Sequence, residues 1–380
     1  MKRGKATLPL AERSRRVFLG GLRRRFAGVL MLSAVRHVSL ASLLLAAVLS
    51  LLVPGFVDAQ PTTTRVSVGP GGAKANGDSC YTGVWADNAC TAISADGRWV
   101  AFRSLASNLV AGDTNGHADV FVHDRGTGET RRVSVGSGSA EGDGDSEEPT
   151  ISADGRWVAF SSWASNLVVG DTNLRRDVFV HDQQTGTTTR VSVGTGGAQG
   201  NGDGQFPSIS ADGRWVAFES RASNLVPGDT NLSWDVLVHD RETGTTTRVS
   251  VGSGGAEGNG DSSYASISGD GRWVAFRSYA SNLVPRDTNR GINPISGADV
   301  FLHDRESGTT TRVSVASDGT QANGSSTDSA VSADGRRVAF FSVANNLVAN
   351  DTNSRTDVFV HDRQTGTTRR VSVGPGGAQG

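Results

Sequence analysis

From residue 90 onward the chain alternates short apolar runs with turns rich in Gly, Asp and Asn, and the runs recur. In Trp99-Val100-Ala101-Phe102 every position is apolar, so an extended strand there carries Val100 and Phe102 on one face and Trp99 and Ala101 on the other. A strand apolar on both sides has to be sandwiched between two further layers. Val120-Phe121-Val122 has the same character. Thr130-Arg131-Arg132-Val133-Ser134-Val135 instead alternates polar with apolar, as an outer strand does.

The block Ser94-Ala95-Asp96-Gly97-Arg98-Trp99-Val100-Ala101-Phe102 recurs at Ser152, Ser210, Ser268 and Ser332, at spacings of 58, 58, 58 and 64 residues, and the extra six lie within 290–297. Each copy continues through a Ser-Asn-Leu-Val and Asp-Thr-Asn loop, a run such as Asp119-Val120-Phe121-Val122-His123-Asp124, and a Thr-Gly turn. That predicts four strands per repeat, a to d, with the Ala-Asp-Gly-Arg corner as a tight a–b turn in which Gly97 takes positive φ. One such sheet cannot bury both its faces; several stacked around an axis can. The fold class is therefore all-β, a β-propeller of four-stranded antiparallel blades at about 90–135, 148–193, 206–251, 264–315 and 328–374.

The Ser-x-Asp-Gly-Arg-x-Val-Ala-Phe block followed by Asp-Val-Phe-Val-His-Asp resembles the repeat of TolB-like, WD-repeat-related propellers, and the resemblance covers 62–380. It implies four-stranded blades, commonly six in a ring, in periplasmic or secreted proteins that mostly act as interaction platforms. The b–c loop is longer here than in that family. An orphan outer strand, 63–69, precedes the first blade, and 374–380 repeats its linker almost letter for letter. An incomplete six-bladed ring with a gap between blades five and one is the expectation; a closed ring of five is the alternative.

Composition sharpens this picture. The formal charge of −1 hides ten Lys/Arg in residues 1–59, leaving 27 basic against 36 acidic groups beyond them. An acidic body whose single lysine is Lys74 has no stripe to neutralise phosphates, which argues against nucleic acid as a partner. Residues 38–57 are an apolar run behind arginines, and Val57-Asp58-Ala59 fits a signal-peptidase site, so cleavage after Ala59 and export are expected. An uncleaved leader would be the one membrane contact. Arg15-Arg16 resembles a twin-arginine signal, but Arg23 to Arg25 break up the apolar segment that such a signal needs, and a start at Met31 would give a more compact leader. Cys80 and Cys90 predict a disulfide in an oxidising compartment; two thiols are too few for zinc.

Strand parity puts the short a–b and c–d turns on one rim and the long b–c and d–a loops, such as 107–118 and 201–204, on the other, where function is expected. Hard oxygen ligands recur there as Asp113/Asn115/Asp119, Asp171/Asn173/Asp177, Asp229/Asn231/Asp235 and Asp351/Asn353/Asp357, a set compatible with weak calcium sites. Blade four breaks the spacing, with Asp287 and Asn289 far from Asp299. The competing reading is that these residues cap their own turns.

His123, His181, His239, His303 and His361 share one position, each followed by Asp; repeated in every blade, they read as structural His–Asp pairs. No nucleophile elbow, zinc-protease helix or phosphate loop occurs beyond the leader, so no catalytic residue and no cofactor other than calcium is assigned. Tyr81, Trp85, Trp163, Phe206, Trp234 and Tyr264 are candidate aromatics of the binding face. The expected function is an exported, non-enzymatic protein-interaction or ligand-binding platform that binds through the b–c and d–a loop face. A multivalent carbohydrate binder and the propeller part of a larger enzyme are the alternatives.

Overall fold

The computed structural model describes residues 63–80, 90–136, 138–289 and 297–379. The leader, Tyr81, Trp85 and most of the blade-four insertion lie outside them. Among the described residues twenty strands form five antiparallel sheets, each in the order a-b-c-d. Blade one is β1 (Thr91–Ile93), β2 (Trp99–Ser104), β3 (Asp119–Asp124) and β4 (Thr130–Arg132); blade two is β5 (Ser146–Ile151), β6 (Trp157–Ser162), β7 (Asp177–Asp182) and β8 (Thr187–Arg190). Blade three comprises β9 (Gly204–Ile209), β10 (Trp215–Ser220), β11 (Asp235–Asp240) and β12 (Thr245–Arg248). Blade four comprises β13 (Ser262–Ile267), β14 (Trp273–Ser278), β15 (Asp299–Asp304) and β16 (Thr309–Arg312), and blade five β17 (Ser326–Val331), β18 (Arg337–Ser342), β19 (Asp357–Asp362) and β20 (Thr367–Arg370). The a strands of neighbouring blades lie against one another, which makes them the innermost.

The cores lie between sheets. Ala159, Val178, Val180 and Val191 of blade two meet Ile209, Val216, Phe218, Ala222, Leu225 and Leu237 of blade three, and equivalent clusters join blades one–two, three–four and four–five. Both faces of strand b are used, as its sequence requires. Within a blade the b and c phenylalanines stack across the ladder, Phe160 on Phe179 at 5.9 Å.

The a–b turn is fixed by its own side chains. Ser152 Oγ donates to Asp154 and accepts from the Trp157 amide, and Asp154 also accepts from the Arg156 amide. This turn touches the preceding blade: a Cβ at Gly213 (φ +74) would lie 2.1 Å from Cδ1 of Trp157. The indole is held from the sides by Arg156 of its own blade at 4.4 Å and Arg241 of the next at 3.8 Å. The indole-on-glycine contact recurs as Trp99–Gly155, Trp215–Gly271 and Trp273–Gly335. In blade five Arg337 replaces the indole.

The array is open. Among the described residues no core cluster joins blade five to blade one. Val133, Val191, Val249 and Val313 are each 1% exposed beneath the following blade, whereas the equivalent Val371 is 50% exposed. On the opposite side Ile151 and Ile209 are 8% exposed and Ile93 58%. The orphan segment makes one isolated bridge, Val68 to Lys74, and the Val68 carbonyl accepts from the Thr130 hydroxyl. The gap expected from the sequence is therefore present.

Gly213→Ala is expected to lower the urea midpoint well below that of Gly244→Ala. Both glycines have positive φ, costing an alanine roughly 1–2 kcal/mol, but nothing lies within 4 Å of a Cβ at Gly244, whereas Gly213 adds about 1–3 kcal/mol of overpacking on the indole. Equal midpoints, read by tryptophan fluorescence, would show that the indole is not seated on the turn.

Candidate functional site

In every blade the loop carboxylates gather around an arginine of strand d. Arg132 Nη1 lies 3.2 Å from Asp113, 3.1 Å from Asp119 and 2.7 Å from Glu141. Arg190 bridges Asp171 and Asp177 at 2.9 and 3.2 Å, Arg248 reaches Asp229, Asp235 and Glu257, and Arg370 bridges Asp351 and Asp357. Blade four is not an exception: despite the insertion, Arg312 bridges Asp287 and Asp299 at 3.3 and 3.2 Å. The asparagines order the loops. Asn115, Asn173, Asn231 and Asn353 donate to Asp119, Asp177, Asp235 and Asp357, and each accepts from the amide two residues on. A guanidinium thus stands amid the oxygen ligands that suggested calcium. Asp229, Asp235 and Glu257 form the tightest acidic trio, with ligand atoms within 4.8 Å of one another. Burial and then the Asp235 charge push Asp229 up to about 6, against the pull of Arg248.

The five histidines have a partner that their spacing along the chain does not reveal. His181 Nδ1 lies 3.0 Å from Thr188 Oγ1, whose single hydrogen goes to the Val135 carbonyl of the preceding blade at 2.5 Å, so the histidine is the donor. The same relay links His239–Thr246–Val193, His303–Thr310–Val251 and His361–Thr368–Val315, and in blade one His123–Thr130–Val68. The adjacent aspartate does not pair with the histidine. Asp182 takes a bidentate contact from Arg156 at 2.9 and 2.7 Å, and Asp240 is held down to about 2 by the equivalent contact from Arg214.

These networks repeat; the starts of the a strands do not. The a strands of blades two to five each carry a β-bulge, and at it Glu148, Phe206, Tyr264 and Asp328 adopt φ of +56°, +50°, +54° and +48°. Non-glycine residues pay such strain mostly where a side chain is being re-aimed. Here the bulges lie beside the axis, at the rim of the long loops. Glu148 accepts from the Ser161 hydroxyl and the Phe206 amide, each at 2.8 Å, and pairs with Arg176 at 3.1 Å. Glu147 joins Arg103 and Arg176. Glu219 accepts from Gln205 at 2.7 Å and from the Tyr264 amide at 3.0 Å, and burial raises it to about 7.

The rings of Phe206 and Tyr264 meet at 5.0 Å, with Arg277 over Tyr264 at 4.5 Å. Two of the predicted aromatics are thus brought together; Trp163 stands half exposed on its loop and Trp234 lies under Arg221 at 5.1 Å. In blade one the corresponding place holds the Cys80–Cys90 disulfide, with Cα atoms 5.1 Å apart and the Cys80 amide bonded to the Arg103 carbonyl. The crown thus gathers a buried acid, paired guanidiniums and two tilted rings in contact.

The titrations set a pH window. Burial depresses all five histidines below their ordinary 6.5, His239 and His303 to about 4. The unfolded chain takes up those protons first, so this stability is complete above about 6.5 and is lost as pH falls towards 4. Glu219 acts oppositely: its folded value of about 7 exceeds the ordinary 4.5, so stability declines as pH rises across that interval. Urea midpoints should fall from pH 6.5 to 4 in both the wild type and Glu219→Gln, while the variant alone should lack the Glu219 decline between pH 5 and 7. A second expectation concerns the trio. Arg248→Met should cost about 3–5 kcal/mol by stranding buried charge, and millimolar calcium should raise the melting temperature of that variant but not of the wild type.

No family model matches the chain, and no curated relative matches it. Solved structures similar to it include TolB from Acinetobacter baumannii, at 16% identity over 73% of this chain and 52% of that one with a TM-score of 0.42. A putative TolB from Agrobacterium tumefaciens matches at 14% over 74% and 79%, TM-score 0.43. The β-propeller domain of the Trilobed protease from Pyrococcus furiosus matches at 12% over 74% and 70%, TM-score 0.45. The chain spans about half the length of the first of these. Its fold, five four-stranded antiparallel blades, is that of a β-propeller.

Proposed function

We propose that this propeller is a non-enzymatic binding platform that acts outside the cytoplasm and receives its partner, a protein or a glycan, on the crown of a-strand bulges at the long-loop rim. One observation carries the reading: side chains that differ from blade to blade, Glu148, Phe206, Tyr264 and Asp328, are gathered at equivalent strained positions beside the axis. The repeated His, Arg and Asp residues are engaged in holding blades together. The Cys80–Cys90 disulfide supports an oxidising location, in keeping with the apolar leader.

The Phe206–Tyr264 pair, flanked by Gln205, Glu219 and Arg277, favours a glycan as the second form of this reading, since aromatic rings beside amides and carboxylates suit sugar faces and hydroxyls. The test is capture from an extracytoplasmic extract alongside a glycan array, each run with wild type and with Phe206→Ala/Tyr264→Ala. The double variant should lose at least tenfold in apparent affinity for whatever the wild type retains, with its melt still cooperative. Undiminished capture by the double variant would remove the crown from the binding surface.

A further inference from the structure

On the short-turn rim, opposite the crown, two junctions between blades enclose cavities with the same walls. The cavity between blades two and three has a volume of about 380 Å³ and is lined by Trp157, Asp212, Arg214, Arg241 and Glu242. That between blades three and four, of about 440 Å³, is lined by Trp215, Asp270, Gly271, Arg272, Arg305 and Glu306. The preceding blade supplies a half-buried indole, and the a–b and c–d turns of the following blade supply the rest. Both volumes fall in the range of about 300–1,000 Å³ that small-ligand sites occupy.

Each cavity holds two guanidiniums and two carboxylates, so its walls are polar without a net charge. The fold does not use all of these groups. Arg241 rests on Trp157 and Arg305 on Trp215, each at 3.8 Å, and each spends one Nη1 hydrogen on a turn carbonyl, Gly213 at 2.6 Å and Gly271 at 2.5 Å. Their other N–H groups have no partner among the described residues. Burial lowers the basicity of both, Arg305 to about 10, as befits cations short of compensating contacts. Asp212 accepts from the Ser210 hydroxyl and the Arg214 amide on Oδ1 alone, and Asp270 accepts likewise from Ser268 and Arg272. Oδ2 is left open in both. A hydroxyl group satisfies such a pair of walls, because it donates and accepts at once. A bare anion would instead meet the carboxylates, and a bare cation the guanidiniums.

The geometry points to two equivalent sites, at junctions two–three and three–four, for a neutral polyhydroxylated ligand: a sugar unit whose hydroxyls answer Arg241 with Asp212, and Arg305 with Asp270, while its C–H face rests on the open part of the indole. These sites are separate from the crown and do not depend on it. Junction one–two keeps the indole of Trp99 but has Gln183 and Gln184 in place of the Arg-Glu pair, and its cavity shrinks to about 240 Å³. Two sites on one rigid rim favour a glycan that displays the sugar repeatedly.

The probes are glucose, mannose, galactose, fucose and N-acetylglucosamine, each as the free methyl glycoside and displayed on a polymer, with glucuronate and glucosamine polymers as charged counterparts. At least one neutral sugar should bind the full chain at two sites, shift its tryptophan emission, and bind at least tenfold more tightly when displayed on the polymer. Arg241→Gln/Glu242→Gln gives junction two–three the pair that junction one–two already carries, so this variant should melt as the wild type does and keep one site. Adding Arg305→Gln/Glu306→Gln should abolish binding. Phe206→Ala/Tyr264→Ala should retain both sites, which separates this result from the fate of the crown. The inference is overturned if none of the neutral sugars binds even on the polymer, if a charged polymer is preferred tenfold over every neutral one, or if the fourfold variant binds as the wild type does.

Discussion

Every sheet in this protein is apolar on both faces, and the rest of the architecture depends on that constraint. A lone blade would expose Phe160, Phe179 and Val158 on one side and Ala159, Val178 and Val191 on the other, residues that are all essentially inaccessible in the array. Stability is therefore a property of neighbouring pairs, as in other repeat proteins, and each blade is completed by the next. The same logic locates the weak points. At the two end blades Ile93 and Val371 lose the cover that the same residues have in the other blades.

Charge is subordinate to this packing yet decides how the outer half of each blade is fixed. The strand-d arginines enter buried acidic loops and supply from within the chain the positive charge that a cation would bring. Such a buried pairing adds little net stability, because the cost of desolvation offsets most of the attraction, but breaking it strands carboxylates in a poorly solvated place. The pairs therefore specify one loop geometry. The histidine–threonine–carbonyl relays do the same between blades, with neutral groups; a neutral imidazole is the form that burial favours.

The blades were legible from the sequence because the signal is local: four successive apolar residues in strand b, a Ser-Ala-Asp-Gly-Arg corner, and a fixed period. The orphan segment was legible for the same reason, since residues 63–69 duplicate the outer-strand segment of the repeat. The features that escaped are non-local. Arg132 is 19 residues from Asp113, and Thr188 is 53 from Val135, so nothing in the spacing joins them. His–Asp adjacency suggested a pair, but neighbours on a strand point to opposite faces, and the aspartate turns to an arginine while the histidine turns to a threonine. Blade four seemed broken because its insertion separates Asp287 from Asp299 along the chain; both loop ends still return to Arg312. The bulges were invisible because Glu-Glu-Pro, Gln-Phe-Pro, Ser-Tyr-Ala and Thr-Asp-Ser share no pattern.

That lack of pattern is itself informative. On the short-turn rim, an indole, a glycine and two guanidiniums from adjacent blades interlock, so a change there disturbs two blades at once. Along strands b and c each side chain is committed to one inter-sheet core or the other. At the bulge the strand has one residue more than its partner, and the extra side chain lies outside the inter-sheet apolar clusters. The chain places there a carboxylate, two aromatic rings and another carboxylate in successive blades, each held in a backbone conformation that local sterics disfavour. The scaffold repeats wherever packing between sheets demands it and differs at these positions, on which the proposed binding platform rests.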